Sequence, residues 1–91
     1  MQRYQFDFDT IPSQTAFYQA FCLACGLPGN QITNLDSLWD ALVSGAIPLP
    51  AEVEFLHLDS KARRRYGALI LLFDEAEEEL EGLLRFNILL P

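Results

Sequence analysis

Tyr4, Phe6 and Phe8 alternate with Arg3, Gln5 and Asp7 at the start of the chain, which is the two-residue period of a half-buried strand. After Pro12, Ser13 offers a hydroxyl to the unpaired N–H groups of a helix start, and Phe17, Ala20, Phe21, Ala24 and Cys25 recur at helical spacing. Gly26 and Pro28 stop that pattern. Residues 29–33 read as a polar loop, and Asn34 is then the N-cap of a helix through Val43 with Leu35, Leu38, Trp39 and Leu42 as its buried stripe. Gly45, Pro48 and Pro50 make residues 44–50 a connection. Residues 53–58 form a mostly apolar run rich in strand formers, which predicts a second, central strand. Residues 60–66 can cap and form a short basic helical turn, Gly67 interrupts, and residues 68–80 continue as a helix that is apolar almost all round at its start and amphipathic from Asp74 onward. Gly82 ends it, and residues 85–90, with Phe86, Ile88 and Leu90 on one face, predict the last strand.

Each connection between strands is long enough to carry a helix back across a sheet. The expected class is therefore α/β, a small three-stranded parallel sheet packed by helices. A chain of 91 residues supplies one compact core, so residues 1–91 are read as a single domain. Six Lys and Arg against thirteen Asp and Glu give a net charge of −7. That balance works against direct nucleic-acid binding, where phosphates must be neutralised, and favours a basic protein partner. The longest uninterrupted apolar run, residues 68–73, falls far short of the ~20 residues needed to span a bilayer, and no leader pattern opens the chain. No membrane association is expected, and two cysteines without a disulfide framework suggest a reducing, cytoplasmic setting.

Catalytic signals are sparse. Cys22 and Cys25 have the spacing of a redox or metal pair, but they lie inside a helical pattern, Cys25 on the apolar stripe and Cys22 to its side. Ordinary buried or half-buried side chains are the favoured reading. His57, the only histidine, is expected on a strand among core-facing neighbours, and no loop motif offers it a nucleophile. Lys61, Arg63, Arg64 and Arg65 form a basic cluster, expected to be offset by the carboxylates of residues 74–81. RNA binding through these arginines is a third, weaker reading, tested by salt-sensitive binding of the isolated domain. Asp36 and Asp40 stack one turn apart on one helix face, where like charges repel. The repulsion is either that of a dipole-complementing residue and a solvated acid, or one that a basic partner relieves. No enzymatic activity, cofactor or metal is expected.

The segment Asn34-Leu35-Asp36-Ser37-Leu38-Trp39-Asp40-Ala41-Leu42, preceded by Leu27-Pro28, followed by Pro48-Leu49 and completed by Phe73-Asp74-Glu75-Ala76, resembles the barstar family of ribonuclease inhibitors. The resemblance covers nearly the whole chain and implies a three-stranded parallel sheet packed by helices. It implies inhibition of a small, strongly basic bacterial ribonuclease by a helix and its adjoining loop. Asp40 would take the place of a substrate phosphate among the enzyme's cationic side chains, and Asp36 and Glu75 would meet other basic groups. Asn34 and Leu35 would add contacts at the helix start, and the loop around Asn30 would cover the rim of the enzyme's site. The family pattern also implies a cis bond before Pro48. The chain departs from that pattern where Gly29-Asn30-Gln31-Ile32-Thr33 and Ser44-Gly45-Ala46-Ile47 carry no aromatic residue. An immunity or interaction protein on the same scaffold, with a different cationic target, is therefore the alternative. Oligomeric state stays open at this stage, with the sheet edges and the first turn of the residue 68–80 helix as candidate contacts.

Overall fold

The computed structural model describes residues 1–89. Three strands, β1 (Gln2–Asp7), β2 (Ala51–Leu56) and β3 (Leu84–Leu89), form a parallel sheet in the order β1-β2-β3. The first crossover carries α1 (Gln14–Cys25) and α2 (Leu35–Val43), and the second carries α3 (Ser60–Arg65) and α4 (Gly67–Glu79). The α/β class expected from the sequence is the one observed, with β2 central. Leu90, placed by its pattern on the last strand, lies outside the described residues.

Register decides which face of the sheet is buried. Tyr4, Val53 and Phe86 are neighbours across the strands, as are Phe6, Phe55 and Ile88, and these residues face the helices. Phe55 lies at the centre, its ring centroid 4.8 Å from those of both Phe8 and Phe86, 5.3 Å from Phe17, 5.5 Å from Phe73 and 6.3 Å from Phe6. Phe21 completes the cluster against Phe6, Phe17 and Phe73, so all seven phenylalanines belong to it. Such edge-to-face and offset pairs add about 0.5–1.5 kcal/mol each beyond the area they bury.

The opposite face is polar. Arg3, Glu52 and Arg85 lie side by side, as do Gln5, Glu54 and Asn87. Arg3 Nε pairs with Glu52 Oε1 at 3.0 Å, and Gln5 Nε2 donates to Glu54 Oε1 at 2.8 Å. That contact gives the buried Glu54 carboxylate a donor, as burial of a charged group requires. Parallel sheets are usually covered on both faces; here the alternation of charges and amides keeps one face wet. At the β3 edge, Glu77 Oε2 accepts the Phe86 N–H at 3.2 Å, so α4 occupies a donor that would otherwise invite another strand.

Several local expectations are corrected. On α1 the buried residues are Phe17, Tyr18, Phe21 and Cys22, while Ala24 is exposed and Cys25 half-buried. The stripe is rotated because Tyr18 can enter the core with its hydroxyl still served, accepting from Gln14 Nε2 at 2.7 Å. On α2, Ala41 joins Leu38 and Leu42 in the core, and Leu35 and Trp39 are only half-buried. β2 ends at Leu56 rather than Leu58, since His57 takes a left-handed backbone (φ 63°) that turns the chain although Leu58 beyond it is buried. Asp59, not Ser60, caps α3, its carboxylate accepting the Ala62 N–H at 2.8 Å. The cis bond among the described residues is Leu49–Pro50, directly before β2, and not Ile47–Pro48.

Truncating the central ring tests this architecture. Phe55→Ala is expected to cost about 3–5 kcal/mol, because a cavity opens where five rings meet. Urea unfolding of the variant beside the parent measures it.

Candidate functional site

The start of α2 is built by its own sequence. Asn34 has an extended backbone (φ −155°, ψ 179°) and its Oδ1 accepts the Ser37 N–H at 2.8 Å. Ser37 Oγ accepts in turn from the N–H groups of Asn34 (3.1 Å) and Thr33 (2.9 Å). This reciprocal box satisfies the orphan donors of the first turn and ties the preceding loop to the helix. α1 ends just before that loop, where Gly26 takes the left-handed conformation (φ 71°) and the Leu27 N–H reaches back to the Cys22 carbonyl at 2.8 Å.

Asp36 lies in the first turn of α2, where a carboxylate complements the helix dipole, and Asp40 lies one turn further. Both are exposed, as are Asn30, Asn34 and, on α4, Glu75; Leu35 is half-buried. Among the described residues the ion pairs join Arg3 to Glu52 and Glu54, and His57 to Asp7 and Asp9. Asp36, Asp40 and Glu75 therefore face solvent without a cationic partner among the described residues.

Two open grooves border α2. One, of about 280 Å³, runs between α2 and α4 and brings together Leu35, Asp36 and Glu75 with Trp39, Ala68, Leu71 and Leu72. The other joins Asn34, Leu35 and Asp36 to Gln14, Thr15, Tyr18 and Thr33. Asp40 and Asn30 line neither. Trp39 and Leu71 were missing from the sequence reading of the site, although Leu71 is 58% exposed. The signal was present in the all-round apolar start of the fourth helix, since a helix buried on one side must leave part of such a surface in water.

Other chemistry-bearing residues are placed differently from expectation. No ion pair joins the α3 cations to the acidic run, which starts two helical turns into α4. Arg65 instead donates to the Pro12 carbonyl at 3.0 Å and lies 5.3 Å over the Tyr66 ring. Cys22 is fully buried, and burial pushes the Cys25 thiol up to about 11, so neither cysteine is a ready nucleophile. His57 is exposed rather than packed among core residues, because its left-handed backbone swings it off the strand. Its Nδ1 is 2.7 Å from Asp7 Oδ1 and 3.5 Å from Asp9 Oδ2. The hydrogen bond to Asp7 raises the imidazole above its ordinary 6.5, and the same bond, with the Asp9 N–H, lowers the Asp7 carboxyl below 3.8.

Exposed carboxylates thus lie beside shallow, partly apolar grooves that border α2. Residues 1–90 match the family described as Barstar (barnase inhibitor), and the chain belongs to that family. Members of the family are inhibitors rather than enzymes. Among the described residues no helix is long and apolar enough to cross a membrane.

Loss of the helix cap is measurable without any partner. Asn34→Ala is expected to destabilise the fold by about 1 kcal/mol, read as a lower urea midpoint. The His57–Asp7 pair predicts a pH signature. Its stabilisation is complete between 3.8 and 6.5, is lost as pH falls through the lowered Asp7 value, and is lost as pH rises through the raised His57 value. Imidazole proton shifts should titrate above 6.5 in the parent and return toward that value in Asp7→Asn.

Proposed function

We propose that this protein inhibits a small, basic ribonuclease by laying α2 and its adjoining loop across the enzyme's active site. The observation that carries this reading is a set of three exposed carboxylates, Asp36, Asp40 and Glu75, without cationic partners among the described residues of a chain of the barnase-inhibitor family. A carboxylate can replace a phosphate because arginine recognises both through paired, charge-assisted hydrogen bonds. In this reading Asp40 takes the substrate phosphate's place, and Asn30 covers the rim. Asn34 and Leu35 add contacts at the helix start.

The groove between α2 and α4 suits one long cationic side chain of the enzyme. Its aliphatic stem would lie on Trp39 and Leu71, and its head between Asp36 and Glu75. Asn34 spends its carbonyl oxygen on the helix cap, leaving its amide N–H groups for the partner. The net charge of −7 would accelerate encounter with a cationic enzyme, and added salt would slow it. Self-protection of a bacterial cell from its own ribonuclease, in the cytoplasm, is the biological setting this implies.

A second reading keeps the docking face and changes the target to another cationic protein. The absence of aromatic side chains from residues 29–33 favours it, since aromatic anchors carry much of the energy at tight interfaces.

Titration into a barnase-type ribonuclease assay at low and moderate salt separates the two. The inhibitor reading expects stoichiometric inhibition, weakened by at least ~2 kcal/mol in Asp40→Ala with the unfolding midpoint unchanged. No inhibition by folded protein removes that enzyme class. Recovery of a non-nuclease partner, lost on charge reversal of Asp36 and Asp40, would then establish the second reading.

A further inference from the structure

A cluster of ligating atoms lies at the C-terminal edge of the sheet, built from residues that the docking face does not use. β1 and β2 are parallel neighbours with Asp7 beside Leu56, so the residues that follow each strand emerge together. The Asp9 N–H donates to Asp7 Oδ1 at 2.9 Å, and the Thr10 N–H and hydroxyl both donate to the Asp7 carbonyl, at 3.0 and 2.9 Å. These bonds fold the chain so that Asp9 returns toward Asp7. His57, the first residue past β2, brings Nδ1 to both carboxylates, and one ligand atom from each of the three lies within 4.8 Å of the other two.

We propose that Asp7, Asp9 and His57 bind a divalent transition-metal ion. A hydrogen bond alone would need one carboxylate; here two converge on a single ring nitrogen, and with the imidazole neutral they leave two negative charges to be balanced. Metal–ligand bonds of about 2.0–2.2 Å place neighbouring ligand atoms roughly 3–3.5 Å apart in a four-coordinate site. The observed 2.7 and 3.5 Å separations bracket that spacing. Side-chain rotation at an exposed site can supply the remaining adjustment.

The donor set selects the class of ion. One imidazole nitrogen with two carboxylates suits zinc, cobalt, nickel or copper, whereas magnesium and calcium require a fuller oxygen shell. On binding, Nδ1 exchanges its proton for the metal, so one proton leaves for each ion bound to the imidazolium form. Three protein ligands at an exposed edge leave a coordination position open to water.

The test adds zinc chloride to the reduced full chain in a calorimeter and, in parallel, follows cobalt(II) by its visible absorption. One ion per chain is expected, accompanied by a shift of the His57 imidazole resonances. His57→Asn, which tolerates the left-handed backbone, is expected to weaken binding by about tenfold or more. Asp9→Asn should weaken it similarly while sparing the His57–Asp7 hydrogen bond, and thermal melts confirm that both variants are folded. Cys25→Ala should bind as the parent does, which excludes a thiolate site. Absence of saturable uptake, or equal uptake by the parent and both ligand variants, overturns the proposal.

Discussion

One ring on the central strand holds the architecture together. Phe55 packs against rings from both neighbouring strands and from α1 and α4. Helix stability in a chain this small comes from packing an apolar face rather than from propensity, and the shared face here is the phenylalanine cluster. α2 is positioned at one remove, packed on α4, with Leu38, Ala41 and Leu42 buried. The proposed docking face is thus positioned by the core, although Asp36, Asp40 and Glu75 contribute nothing to that core.

Topology explains why the proposed docking face has two sources. In a parallel sheet each strand must be followed by a crossover, and the order β1-β2-β3 places one crossover before β2 and one after it. Asp36 and Asp40 belong to the first, and Glu75 to the second. The groove between them exists because the last helix of each crossover packs against its counterpart. The same topology gathers Asp7, Asp9 and His57 at the far end of adjacent strands, in a position no local pattern could reveal.

Much of this was readable from residue order. The alternation of Tyr4, Phe6 and Phe8, the cap at Asn34 and the stop at Gly26 are short-range signals, and each fixes an element through groups only a few residues apart. The family resemblance rested on the segment Asn34–Leu42 with shorter matches at Leu27-Pro28, Pro48-Leu49 and residues 73–76, and the chain does belong to that family. What stayed hidden depended on neighbours distant in sequence. Helical spacing alone could not decide between the Phe17–Tyr18–Cys22 face and one through Ala24 and Cys25, because both are apolar; the hydroxyl of Tyr18 found its partner only on Gln14. Offset of the α3 cations by the α4 acids looked reasonable from proximity in the chain, yet two turns of helix separate them in space. His57 was assigned to a strand because its neighbours are strand formers, while its own backbone turns the chain away. The exposed Leu71 followed from which side of α4 meets the sheet, a choice that an all-round apolar sequence leaves undecided.

The reciprocal bonds between Asn34 and Ser37 also limit how this surface can diverge. Asp40 is exposed, and among the described residues its side chain makes no ion pair, so its exchange is expected to cost the fold little. Asn34 can vary only among residues that still close the helix start, chiefly aspartate, serine and threonine. On the proposed docking face, selection for a new target would therefore proceed quickly at one position and through a narrow set of alternatives at the other. Of these, aspartate alone adds charge to the face while keeping the helix intact.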